Sequence, residues 1–131
     1  MPLLKLNKVH HIAIICSNYA VSKKFYTTIL DLEIIKETFR TERQSYKLDL
    51  KVNDTCQVEL FSFPAPALRP SRPEACGLRH LAFEVNDIAA AIEILTARDV
   101  VTEPVRVDEI TGKRFTFFED PDGLPLELYE K

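Results

Sequence analysis

Four residues of this 131-residue chain carry readable chemistry: His11, Glu59, His80 and Glu127. They form two pairs, each an imidazole followed by a carboxylate. The histidines sit in like settings, His10-His11-Ile12-Ala13-Ile14 and Arg79-His80-Leu81-Ala82-Phe83. So do the glutamates, in Val58-Glu59-Leu60-Phe61 and Leu126-Glu127-Leu128-Tyr129. Glu59 follows His11 by 48 positions and Glu127 follows His80 by 47. A single His on an apolar strand is commonly a satisfied core or edge residue, and a strand Glu commonly faces water. Neither habit explains why both recur together at nearly equal spacing. Self-similarity of this kind marks a duplicated structural unit. Two imidazoles and two carboxylates make a borderline-to-hard N/O donor set suited to Zn2+, Ni2+, Co2+, Mn2+ or Fe2+. With no thiolate among them, a six-coordinate site completed by water is expected, with the open positions a catalytic metal needs.

The elements that must position these residues follow from periodicity. The β-branched run from Val9 to Cys16 reads as a strand, stopped by the helix cap signal Ser17-Asn18. Val21, Phe25 and Ile29 recur at helical spacing, so residues 19–30 are expected as an amphipathic helix with Ser22, Lys23 and Lys24 toward water. Strands are expected over 33–39, 47–52 and 55–63, the second from the clean alternation of Lys47-Leu48-Asp49-Leu50-Lys51-Val52. Residues 40–45 are polar and carry no clear signal. Four prolines (Pro64, Pro66, Pro70, Pro73) make 64–77 a stiff linker, since they fit neither a helix nor a sheet interior. The order then repeats. A strand is expected over 79–85, then a helix from Ile88 to about Arg98 capped by Asp87. A strand over 100–107 follows, interrupted by Pro104, and then a hairpin of 114–119 and 124–130 through Asp120-Pro121-Asp122-Gly123. The expected architecture is α+β: one domain over 1–131 built from two tandem βαβββ modules, about 8–63 and 78–130.

Strand side chains alternate between faces. His11 therefore shares a face with Val9, Ala13 and Ile15, and Glu59 with Gln57 and Phe61. His80 lies with Ala82, and Glu127 with Tyr129. The opposite faces are more uniformly aliphatic and suit packing beneath a helix. The His and Glu faces are then the concave side, where small Ala13 and Ala82 leave room for a pocket. His10 falls on the other face from His11 and reads as structural or solvated.

Bulk properties bound the rest. With 46% hydrophobic and 28% charged residues the chain has a globular composition, and a net charge of −3 with mixed signs offers no footprint for nucleic acid or an anionic membrane. No apolar run approaches the roughly 18 residues of a membrane span, and the first residues lack a secretory pattern. Cys16, Cys56 and Cys76 are too few and too scattered for a disulfide framework or a thiolate metal site, and read as small buried or half-buried fillers. The cytoplasm is the expected compartment.

With those residues placed, the chain resembles the vicinal oxygen chelate superfamily, which includes glyoxalase I, fosfomycin-resistance proteins, methylmalonyl-CoA epimerase and extradiol dioxygenases. The carriers are His11-Ile12-Ala13-Ile14, Val58-Glu59-Leu60, His80-Leu81-Ala82-Phe83, and Asp120-Pro121-Asp122-Gly123 followed by Leu126-Glu127-Leu128. The resemblance runs from about Lys8 to Glu130. It implies paired βαβββ modules forming a curved sheet around one divalent metal, with Zn2+ or Ni2+ foremost. It also implies a small-molecule substrate and a homodimer. A carboxylate at the Glu59 position resembles bacterial-type glyoxalase I rather than the dioxygenase or transferase branches, which use three protein ligands. The positions that would hold glutathione in glyoxalase I are Ile15 and Phe63 here, so the metal chemistry transfers better than the substrate. The implied activity is that of a metal-dependent lyase or isomerase moving a proton beside a carbonyl, with Glu127 or Glu59 as base, on a small α-oxygenated substrate such as a thiol adduct of an α-keto aldehyde. The alternatives are a dioxygenase or thiol transferase of the same superfamily, or a non-catalytic binding or resistance protein. Arg69, Arg72, Arg79 and Arg114 are candidate holders of an anionic substrate group.

Overall fold

A computed structural model describes residues 2–131, and the chain divides into two compact units, Met1–Ala67 and Leu68–Lys131. In the first, β1 (His11–Cys16) leads into α1 (Tyr19–Lys24), followed by β2 (Glu33–Arg40), β3 (Ser45–Lys51) and β4 (Gln57–Ser62). In the second, β5 (Leu81–Val85) leads into α2 (Ile88–Ala97), followed by β6 (Arg106–Val107), β7 (Arg114–Glu119) and β8 (Pro125–Glu130). Each unit is a four-stranded mixed sheet, ordered β1-β4-β3-β2 in one and β5-β8-β7-β6 in the other. The strand that opens each unit lies parallel to the strand that closes it, and the remaining pairings are antiparallel. The βαβββ order expected from the repeat is the order found, and the α+β class with it.

The helix-facing side of each sheet is the core. Ile14, Cys16, Leu48, Leu50, Val58 and Leu60 are buried in the first unit, and Thr116, Phe118, Leu126 and Leu128 in the second. These are the residues that alternate with the His and Glu positions, so the aliphatic face is the packed one. Asn18 caps α1 by accepting from the Val21 N–H at 3.2 Å, and Asp87 caps α2 by accepting from the Ala90 N–H at 3.0 Å. In the hairpin, Asp120 accepts from the N–H groups of Asp122 and Leu124, both at 2.9 Å. Gly123, at φ +79, takes the left-handed conformation that closes the turn.

Several expectations are corrected. The first helix is regular only to Lys24 and continues over Phe25–Ile29 as a wider turn, closed by the bonds Leu30 N–H to Phe25 O and Leu32 N–H to Tyr26 O. That shift in phase turns Ser22 inward (1% exposed) and leaves Val21 at 50%, so the buried stripe is Ser22, Phe25 and Tyr26. β1 starts at His11 rather than Val9, and β5 at Leu81, which leaves His80 immediately ahead of its strand. Residues 40–45, without a signal in the sequence, hold a short 3-10 turn over Thr41–Arg43 and a left-handed Gln44. Of 100–107 only Arg106–Val107 pairs as strand. Pro104 lacks the N–H that a longer ladder would use. Cys76 is exposed rather than a filler, and all three cysteines are free.

Candidate metal centre

Parallel pairing of the first and last strands of each unit brings each His to its Glu. In the first unit Ala13 lies opposite Glu59 and His11 opposite Gln57, so His11 reaches Glu59 on the diagonal across the small Ala13 side chain. His11 Nδ1 stands 3.5 Å from Glu59 Oε2. In the second unit Ala82 lies opposite Glu127, and His80 Nε2 stands 3.6 Å from Glu127 Oε1. The side chains of Glu59 and Glu127 are 11% and 14% exposed, while those of His11 and His80 are 42% and 26% exposed. Each pair thus joins a largely enclosed carboxylate to an imidazole that solvent reaches.

The surroundings of the two pairs differ. In the first unit Lys47 on β3 lies between two carboxylates, 3.0 Å from Asp49 Oδ1 and 3.7 Å from Glu59 Oε1. Its hydrogen bond to Asp49, reinforced by the charges of both carboxylates, raises the Lys47 pKa. His10 is exposed, and its Nδ1 lies 2.9 Å from His11 Nδ1. In the second unit the His80 ring meets the Phe117 ring edge-on, with centroids 5.0 Å apart. Tyr129, on the Glu127 face, donates to Asp108 Oδ2 at 2.9 Å and contacts the Thr111 hydroxyl. Asp108 also accepts from the Ile110 N–H. That bond first, then the Tyr129 hydroxyl, holds the Asp108 pKa below its usual value.

The donor types and spacings suit a divalent cation. Two ligands bonded to one ion at about 2.0–2.2 Å stand roughly 3.0–3.5 Å apart, close to the separations found. Among the described residues no group of three or more His, Cys, Asp or Glu side chains is gathered closely enough to hold a metal. Each unit presents two donors.

The four arginines considered from sequence are engaged elsewhere. Arg69 donates to Ser71 Oγ and to the carbonyls of Leu78 and Arg79. Arg72 pairs with Glu119, Arg79 with Glu74, and Arg114 with Glu130. Cations on the His and Glu faces are instead Lys36, Arg40, Lys47, Lys51 and Arg106, none of which the sequence singled out as a substrate holder. Their signal was strand alternation combined with register, since Asp49 pairs with Glu59, Lys47 with Phe61 and Arg106 with Phe115.

A profile of the Glyoxalase/Bleomycin resistance protein/Dioxygenase superfamily matches residues 8–128, and the chain belongs to that superfamily. The Escherichia coli (strain K12) protein YaeR is 60% identical over 98% of this chain and 100% of its own length. The solved glyoxalase family protein from Enterococcus faecalis is 49% identical, with a TM-score of 0.88 over 95% of this chain and 98% of that one. A 2-epi-5-epi-valiolone epimerase from Actinomyces sp is 28% identical over 92% of this chain and 77% of its own. No helix among the described residues is long and apolar enough to cross a membrane.

Proposed function

We propose that His11, Glu59, His80 and Glu127 together hold one divalent cation, Zn2+ or Ni2+ ahead of Co2+, Mn2+ or Fe2+. In this reading residues 1–131 act as one domain, a glyoxalase-like lyase or isomerase that moves a proton between carbons beside a carbonyl of a small α-oxygenated substrate. The observation that carries it is the repetition of one His–Glu pair, 3.5 Å apart in one unit and 3.6 Å in the other. The epimerase among the relatives adds support. Inverting a stereocentre next to a carbonyl is removal and return of a proton.

A cation bound by these donors supplies Lewis-acid polarisation of the substrate oxygens. Proton transfer falls to the chain. Glu127 is assigned as base, taking the proton from one carbon and delivering it to the next. Its enclosure keeps the held proton from bulk water. Glu59 occupies the equivalent position, but the Lys47 ion pair tethers it. Among the described residues the polar partner of Glu127 is the His80 imidazole alone, which leaves it freer to swing.

The test is metal content and turnover of the full chain purified from cells grown with added zinc and nickel. One ion per four-ligand set is expected, lost on His80→Ala. Turnover is expected on hemithioacetals of α-keto aldehydes or on related α-oxygenated carbonyl compounds. Protein that stays metal-free, or whose metal content is indifferent to His11→Ala and His80→Ala, would overturn the reading. A homodimer is part of the proposal. A native mass near twice the 15.0 kDa chain supports it, and a monomer that carries metal and turns over substrate removes it.

A further inference from the structure

On the sheet face that carries Glu59, one cation has an unusual setting. Arg40 ends β2 and pairs in register with Ser45 on β3, which places it on the same side as Lys47, Asp49 and Glu59. Its guanidinium carbon lies 4.8 Å from the Phe61 ring centroid and 5.7 Å from that of Phe63, and those two rings stack on each other. Its Nη2 donates to Ser45 Oγ at 2.8 Å, while its Nε is buried with no acceptor. No carboxylate pairs with it among the described residues, although carboxylates pair with Arg72, Arg79, Arg106 and Arg114. Arg106 makes the telling contrast. It lies over Phe115 and Phe117 in the second unit in the same manner, and there Glu103 meets its charge at 3.1 Å.

A guanidinium laid on aromatic rings is held flat, with its N–H edge left for a planar, charged acceptor. A buried donor without a partner is a cost that a protein ordinarily avoids, so it calls for an explanation such as an absent ion. Phe61 lies two residues beyond Glu59, about 7 Å along the strand. We infer that Arg40 anchors an oxyanion, a carboxylate or a phosphate, carried by the molecule that reaches the His11–Glu59 pair. The substrate class is thereby narrowed to anionic compounds whose charged group lies a few bonds from the reacting carbonyl. The inference rests on the proposed function only in taking the His–Glu pair as the reacting end.

The test is a titration of the uniformly 15N-labelled full chain with acetate, inorganic phosphate and uncharged acetamide, at constant ionic strength and up to roughly 50 mM, well above a millimolar Kd. The Arg40 Nε–Hε signal, identified by its loss in Arg40→Lys, is expected to shift saturably with one or both oxyanions and not with acetamide. Acetate and phosphate arms separate the two sources. By calorimetry Arg40→Gln should weaken that binding at least about tenfold, and Arg40→Lys less, since it keeps the charge and loses the fork. Arg106→Gln, whose guanidinium Glu103 already pairs, should leave the titration unchanged. No saturable shift with either oxyanion would overturn the inference without touching the metal reading. Binding lost in Arg106→Gln but retained in Arg40→Gln would overturn it equally. The Arg40 Nε–Hε signal can equally be assigned through its bonded carbons in 13C,15N-labelled wild type, so a substitution that fails to fold leaves the question decidable.

Discussion

Glu59 and Glu127 are equivalent by repeat and unequal by neighbour. Each is a largely enclosed carboxylate facing an imidazole, but Lys47 stands at only one of them. The chemical asymmetry proposed above follows from that difference. Glu127→Gln is expected to keep a metal-binding oxygen while removing the proton acceptor. kcat should fall by about 10²–10⁴-fold with metal content largely retained. Glu59→Gln should cost less in kcat, and equal losses in a paired steady-state assay would remove the preference for Glu127.

At the scale of elements, two features of the first unit can be tested by stability. Leu60 on β4 is fully buried on the helix side of the sheet. Leu60→Ala should destabilise the chain by about 2–5 kcal/mol in a denaturant titration, through lost transfer energy and the cavity left behind. A change below about 1 kcal/mol would mean the sheet collapses onto the gap. The second feature is the tie from α1 to β2, where Glu37 accepts from Lys23 Nζ at 2.7 Å and from the Tyr19 hydroxyl. Those two bonds, Lys23 first, lower the Glu37 pKa, while burial of the Tyr19 hydroxyl and its bond to Glu37 raise that of Tyr19. A carboxyl group with a depressed folded-state pKa stabilises the fold above its unfolded value of 4.5 and loses that contribution as pH falls through the lower folded value. Stability should therefore drop on acidification below about pH 4.5 more steeply in the wild type than in Glu37→Gln, as read by thermal melts across pH. Parallel curves would show that the tie contributes nothing. At the cap of α2, Asp87→Ala should cost about 1 kcal/mol and Asp87→Asn close to nothing, because either Asn or Asp oxygen can accept from the Ala90 N–H.

For the whole molecule the main prediction is linkage. A cation that binds the folded chain at about 100 times its Kd should raise stability by about 2.7 kcal/mol, and chelation should reverse it. A melting temperature unmoved by Zn2+, Ni2+ and chelator alike would count against any bound ion in the fold. Much of this molecule was legible beforehand, for a physical reason. In a strand of period two, a residue flanked by alternating aliphatic residues declares both its face and its neighbours, so His11, Glu59 and Glu127 could be placed on strand faces without coordinates, while His80 falls one residue ahead of its strand. Cap residues act locally, and Asn18 and Asp87 are the caps found. The α1 phase was not legible, because a single widened turn at Phe25–Ile29 rotates everything before it relative to the sheet. The sequence alone therefore determined the duplicated βαβββ order, the recurrence of one His and one Glu in each unit and the aliphatic face beneath each helix, since all three are written in local periodicity. Only the tertiary structure decided that each His meets its own Glu across an alanine, that Lys47 tethers one carboxylate and not the other, and that Arg40 lies over Phe61 and Phe63 with no carboxylate beside it among the described residues. Those contacts depend on strand register between segments far apart in the chain, and the spacing of residues along it does not encode register.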